Sequence, residues 1–288
     1  MKLGEFVSIS NSSVTFIVLI VTVSSFLANP DSLSHLILIL PLFAAGYLMS
    51  MSAVLFNNIY DRDIDGLMER TSFRVPIVNE ELLRLKWTAA ILVIAGFAVA
   101  FFFLNYLTAV FLTLGFLSYA VLYTIILKRR TVLNIVIGGI AGSFASLSGW
   151  MGAGIIIGVL PLLIALFVFA WMSLHFLVFS LVHSEDYRNT EIPMLPARSG
   201  YGTSIQVISL NSGIVVILSA IPILLRSGIF LDVYLFIMLM MGASLIAFTF
   251  RLRVRNFTGK ASKGLLNFSV VYLIIMLLAI GVTNILLR

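Results

Sequence analysis

Seven stretches of this 288-residue chain, 6–30, 32–60, 87–127, 131–184, 199–225, 233–250 and 264–287, contain no Asp, Glu, Lys or Arg. A helix crosses the hydrocarbon core of a bilayer with roughly 20 apolar residues, so five of these runs supply one span each. The run 87–127 is long enough for two spans, broken near Asn105–Tyr106. The run 131–184 holds two more, broken in the glycine-rich piece Gly149–Gly154. The spacing predicts an all-α, polytopic membrane protein: a single domain over 1–288 built as a bundle of nine transmembrane helices. Composition agrees, since only 10% of residues are charged against about 25% in a soluble domain, which excludes a water-soluble globule. The absence of cysteine excludes disulfides, thiolate metal sites and cysteine nucleophiles.

The basic residues test that count. With nine spans, all of the eighteen Lys and Arg residues except Arg226 and Arg288 fall on one side of the membrane. A wrong count would scramble this alternation, and the positive side is the cytoplasmic one. The N-terminus is therefore expected inside and the C-terminus outside, in a prokaryotic plasma membrane. There is no arginine-rich transit segment and no convincing cleavage site. The net charge of +6 sets topology rather than marking a nucleic-acid partner, because the basic residues lie between apolar runs.

All of the twelve Asp and Glu residues except Asp31 and Asp232 lie on that same side, although a positive-inside loop needs no carboxylates. They concentrate in loop 2–3 (Asp61, Asp63, Asp65, Glu69, Glu80, Glu81) and loop 6–7 (Glu185, Asp186, Glu191). Asn57, Asp61 and Asp65 stand at i, i+4 and i+8, one face of a helix if the helix continues, with Asp63 on the opposite side. Carboxylates at a helix C-terminus face the negative end of its dipole, so a cation should relieve them. Arg62, Arg70 and Arg74 could do so as ordinary ion pairs. A Mg2+ ion could do so too, since Mg2+ takes one or two carboxylates plus substrate phosphates. Two acidic clusters with arginines and lysines between them suit a diphosphate.

These residues resemble the first signature, N-x-x-x-D-x-x-x-D, of the UbiA superfamily of intramembrane prenyltransferases. Four stretches narrow the resemblance to its protoheme IX farnesyltransferase (heme O synthase) branch: Tyr60 to Thr71; Tyr123 to Thr131 followed by Asn134 to Gly139 and Gly149-Trp150; Trp171 to Phe176; and Asp186-Tyr187 with Ile192 to Pro196. The match runs from about residue 45 to 200. Departures occur at Val75, between Arg74 and Pro76; at Glu185, usually basic; at Ala145-Ser146, usually a proline pair; and at Thr190, an aspartate in many superfamily members.

The resemblance implies catalytic loops on the cytoplasmic face at about 57–86, 123–134 and 183–202. It implies that Asp61, Asp65 and Asp186 are catalytic and hold Mg2+. Asn57, Arg70, Arg74, Lys128, Arg129 and Tyr123 would bind the diphosphate, Tyr123 alternatively shielding a carbocation. His175, inside span 6, is the candidate contact for haem, either to a propionate or to the iron; a neutral histidine bonded to a neighbouring helix is the plainer alternative. The implied reaction transfers a farnesyl or longer prenyl group from prenyl diphosphate to a vinyl group of protoheme IX, with water completing a hydroxyethyl side chain. Membrane lipids, and a downstream heme A synthase or terminal oxidase assembly, are the other expected partners. A relative acting on a quinone precursor or lipid alcohol is the alternative. A secondary transporter is the alternative of another class, disfavoured because the carboxylates sit at helix ends rather than at the midplane.

Overall fold

The computed structural model describes residues 3–10, 12–220, 229–254 and 259–286. Every regular element among them is helical. A short α1 (Leu3–Ile9) precedes α2 (Ser12–Ala28), and a 3-10 segment (Pro30–Leu38) runs into α3 (Ile39–Tyr60). Two short helices, α4 (Arg62–Asp65) and α5 (Arg74–Glu80), lead to α6 (Leu82–Phe103). Helix α7 (Tyr106–Leu117) continues as a π-helix over Ser118–Leu127. Then come α8 (Asn134–Gly138), α9 (Ile140–Ala153), α10 (Val159–Val182), α11 (Ser184–Arg188), α12 (Leu195–Ala220), α13 (Ile229–Val254) and α14 (Gly259–Leu286). Among the described residues eight helical stretches are long and apolar enough to span a bilayer, and the shorter apolar Val14–Ala28 makes a ninth candidate, as the charge-free runs predict. Lys2, Arg226, Arg255 and Arg288, used in the orientation argument, lie outside the described residues.

The helices are apolar on both faces, so burial is sorted by shape rather than polarity. On α6, Leu83, Trp87, Ile91 and Ile94 form an exposed stripe at helical spacing, while Leu85, Ala89, Gly96 and Ala100 are buried on the other side. In lipid an exposed leucine carries no penalty, and small residues let helices approach. The centre is α10 against α14, with Phe167, Trp171, Leu174, Tyr272 and Met276 fully or almost fully buried.

The break predicted near Asn105 is where the sequence places it. Helix α6 ends at Phe103, and the Asn105 side chain caps α7 by accepting the Thr108 N–H at 2.9 Å. The break in the Gly149–Gly154 piece lies later. Helix α9 runs through Gly149 and Gly152 to Ala153, and the gap is 154–158. Those glycines serve packing instead: a Cβ at Gly149 would fall on the Thr22 carbonyl of α2. The freed carbonyls at the end of α9 are met by side chains. Asn29 donates to Trp150 O at 2.8 Å and to Gly154 O at 3.0 Å, and Asn105 to Met151 O at 2.7 Å. At the opposite end, Gly200 adopts φ 75°, kinking α12 after its first residues.

The contacts of two glycines give opposite expectations for one substitution. Gly149→Ala should lower the melting temperature in detergent, costing about 1–3 kcal/mol as α2 and α9 are forced apart. Gly202→Ala, with nothing within 4 Å of its added Cβ, should raise it, adding about 0.5–1 kcal/mol through helix propensity. Equal shifts for the two would contradict the α2–α9 contact.

Candidate active site

Loops 2–3, 4–5 and 6–7 meet at one end of the bundle, and a buried ion pair ties the first two together. Asp61, 0% exposed, accepts Lys128 Nζ at 2.5 Å. Helix α3 stops at Asp61, yet the hydrogen-bond spacing carries through: Asp61 N–H bonds Asn57 O and Asp65 N–H bonds Asp61 O, each at 2.8 Å. Asn57, Asp61 and Asp65 therefore stay on one side. Asp61 also orients its neighbour. A carboxylate only accepts, so the Asn57 amide turns its NH2 toward it at 2.6 Å and toward Thr124 Oγ1 at 3.1 Å. The Asn57 carbonyl oxygen is left to meet a ligand.

Lys128 is delivered by the π-helix. Its N–H bonds Tyr123 O, five residues back, at 2.8 Å, and Thr124 Oγ1 donates to Tyr119 O, again five back, at 2.9 Å. The wider turn stacks the Tyr119 and Tyr123 rings, with centroids 5.7 Å apart, on the side from which Lys128 meets Asp61. π-Helical turns are rare and cluster at functional sites.

Within this end lies a chamber of about 300 Å3, lined by Asn57, Asp65, Arg70, Arg74, Tyr123, Lys128 and His175 among the predicted residues. Tyr119, Phe176, Phe179 and Tyr187 complete much of the wall. Burial raises the Asp65 carboxyl above the ordinary carboxylate range, and the nearby Asp61 adds to this against the pull of Lys128 and Arg74. Burial alone would lower the Lys128 ammonium, but Asp61 beside it holds it above its usual value. Arg74 is lowered, chiefly by burial, and remains a cation at any physiological pH. The Nε atoms of Arg70 and Arg74 are buried with no hydrogen-bond partner among the described residues. Unmet guanidinium donors beside a lysine already committed to Asp61 make the chamber a receptor for an oxyanion.

Arg129 and Asp186 stand elsewhere. Arg129 forks onto Asp63 with two 2.8 Å bonds, lies over the Tyr60 ring, and reaches Asp61 only at 3.4 Å. It lines a separate outer recess with Arg62 and Lys86. Asp186, on α11, is off the chamber lining, whereas its neighbour Tyr187 is on it. No group of three or more Asp, Glu or His side chains placed to hold an ion forms among the described residues. The oxygen donors on the wall, Asp65 and Asn57, fit a hard cation that arrives with phosphate oxygens and needs few protein ligands.

His175 faces the chamber from α10, stacked on Trp171 at 5.0 Å. Its Nδ1 lies 2.8 Å from Ser269 Oγ on α14, and the Ser269 hydroxyl is spent on Leu266 O at 2.7 Å. With the Ser269 proton on Leu266 O, Nδ1 donates to Ser269 Oγ and Nε2 keeps its lone pair toward the chamber. Trp171 Nε1 donates to Ser269 O at 2.6 Å, gripping the same residue from its backbone. Ser269 and Tyr119 are members of the site that sequence reasoning missed. Only the period of Tyr119 with Tyr123 and Lys128 hinted at either.

A second space, of about 70 Å3 and almost wholly apolar, opens between α3, α7, α9 and α10, lined by residues that include Met49, Val54, Leu112, Phe116 and Ala145. It shares Val14, Tyr119, Met172 and Phe176 with the polar chamber. A cationic chamber beside an apolar space inside a membrane bundle suits the head of an amphipathic diphosphate. The chain belongs to the UbiA prenyltransferase family, which matches residues 17–282, and it is a prenyltransferase. Among its relatives, the protoheme IX farnesyltransferase 2 of Picrophilus torridus is 40% identical over 278 residues, 96% of each chain. The protoheme IX farnesyltransferase of Saccharolobus islandicus is 35% identical, covering 88% of this chain and 87% of that one. The fold matches a UbiA homologue from Archaeoglobus fulgidus bound to GPP and Mg2+ with TM-score 0.72 at 17% identity, over 98% of this chain and 99% of that one.

Two variants separate the site's charges. A carboxyl whose pKa is raised by folding stabilises the fold below its unfolded pKa, and that contribution is lost as pH rises through the folded value. Asp65→Asn should therefore melt higher than the parent at pH 7 and abolish prenyl transfer, with the melting difference shrinking as pH falls through the raised carboxyl value and gone below about pH 4, where the unfolded carboxyl is protonated too. A lower melting point at pH 7 would contradict the buried, unneutralised Asp65. Lys128→Met should lose about 3–5 kcal/mol by stranding Asp61. Adding Asp61→Asn should restore most of that stability without restoring activity, as read by thermal denaturation and product assay.

Proposed function

We propose that this chain transfers a farnesyl group from farnesyl diphosphate to a vinyl group of protoheme IX, the whole chain acting as one catalytic domain. The observation that carries the reaction class is the pair of buried, unmet Nε donors of Arg70 and Arg74 in the polar chamber. The acceptor follows from relatives that bear the name protoheme IX farnesyltransferase.

In this reading Arg70, Arg74 and Lys128 take the diphosphate oxygens, and Tyr123 and Tyr187 close the wall around them. Asp65 and the Asn57 carbonyl would supply the protein oxygens for Mg2+, with Asp61 behind them, off the chamber lining and held by Lys128; Asp186 is assigned to the rim rather than to the ion. Bound there, Mg2+ would neutralise charge on the departing diphosphate. The bond between prenyl C1 and the diphosphate oxygen breaks, its electron pair leaving with the oxygen. The vinyl π pair of the acceptor forms the new C–C bond, placing the positive charge on the carbon next to the tetrapyrrole ring. Water adds there and releases one proton, leaving the hydroxyl. The bare Nε2 of His175 belongs on the acceptor side, since a lone pair would repel a diphosphate. The loops carrying these groups are assigned to the cytoplasmic face of the cell membrane.

Expression in a membrane host lacking its own heme O synthase, followed by haem extraction and mass spectrometry, tests the reading. A haem bearing one hydroxyalkyl addition is expected, and its mass reports the prenyl length. Unmodified haem from well-inserted protein would move the acceptor to a quinone precursor or lipid alcohol.

A further inference from the structure

The polar chamber and the small apolar space beside it share only a few side chains. Of the residues lining either space, Val14, Tyr119, Met172 and Phe176 line both. A prenyl diphosphate with its head among Arg70, Arg74 and Lys128 runs its first carbons toward the apolar space. The carbon that joins head to chain then lies at this junction. Two of the four side chains there are aromatic, and Tyr119 is one that the π-helix sets on the same side as Lys128. Tyr123, stacked against Tyr119 at 5.7 Å and Phe176 at 6.5 Å, lines the polar chamber alone.

We propose that Tyr119 is a catalytic residue whose ring lies against prenyl C1 and stabilises the allylic cation formed when the C1–O bond breaks, with Phe176 as the second aromatic surface of the junction. The step needs no co-reactant. The electron pair departs with the diphosphate, and the cation persists beside the π face until the acceptor's π pair, or water, takes it. An aromatic face attracts a cation through its quadrupole, most strongly where water is excluded. Val14 and Met172 stand with the two rings at the junction. Tyr123 is thereby assigned to the diphosphate and not to the cation.

The inference rests on the prenyl diphosphate reading but not on the identity of the acceptor, and the experiment keeps the two apart. Phenylalanine and its mono-, di- and trifluorinated analogues are placed at position 119 of the full chain. Diphosphate release from 2-fluorofarnesyl diphosphate, whose ionisation is slow, is followed with and without protoheme. Tyr119→Phe should release diphosphate within about threefold of the parent, because the ring is kept. Successive fluorines, which drain the π face, should lower the rate stepwise to about thirtyfold, the scale of a desolvated cation–π contact of about 2 kcal/mol. Binding of the unreactive farnesyl thiolodiphosphate should be unchanged across the series. A flat rate across the fluorinated series, with Tyr119→Leu still slow, would reduce Tyr119 to a space-filling role and overturn the proposal. A fluorine dependence of diphosphate release without transfer to protoheme would support Tyr119 while removing protoheme as acceptor.

Discussion

The Asp61–Lys128 pair is the contact on which the rest of the site depends. Each charge alone would be prohibitively costly to bury at the end of a membrane bundle. Together, with Asn57 turned toward them, they tie the end of α3 to the end of the π-helical segment after α7. The pair fixes the amide of Asn57 and holds two loops 67 residues apart in sequence. It also leaves the remaining charges to other tasks. Asp65 stands buried on the chamber wall, and Arg70 and Arg74 keep unmet donors. A buried ion pair of this kind is weak evidence for net stability but strongly destabilising when one partner is removed. Its value here is geometric.

From that anchor the site divides by polarity over a short distance. One space is walled by guanidinium, ammonium and carboxylate groups, the other by glycine, aliphatic and aromatic surface, and four side chains separate them. An amphipathic substrate can enter such a site in one orientation only, because reversing it would strand a diphosphate in apolar packing and leave the arginines unmet. On the acceptor side the tie from His175 to Ser269 reaches into the last helix, so a histidine on α10 is oriented by a helix nearly a hundred residues later. The hold of Trp171 on the Ser269 backbone makes that tie rigid.

The architecture was legible in the sequence because membrane helices announce themselves by exclusion of charge, a signal that needs no partner. The break at Asn105 was equally plain, since asparagine caps a helix through its own side chain. The break in the second long run was misplaced because glycine has two uses. At Gly149 it admits the backbone of α2, and the turn begins only at Gly154. In the site, the i, i+4, i+8 spacing put Asn57, Asp61 and Asp65 together correctly. Spacing could not say that Asp61 would meet a lysine from another loop, or that Arg129 would turn outward to Asp63. Nor could it place Asp186 off the lining and Tyr187 on it, because a single residue's rotation on a short helix decides the matter. Tyr119 lies just before the recognised stretch that begins at Tyr123, and Ser269 lies outside every recognised stretch.

The π-helix between Ser118 and Leu127 has a consequence for how this chain can change. Such a segment holds a residue more per turn than an α-helix does, so its geometry depends on length as well as on residue identity. Winding the nine steps from Tyr119 to Lys128 as an ordinary α-helix, at about 100° each, would leave the two about half a turn apart. The tyrosine would then face away from the lysine although every chemical group had been kept. In this stretch insertions and deletions act as changes of chemistry, and comparisons that score only which residues match would overlook them.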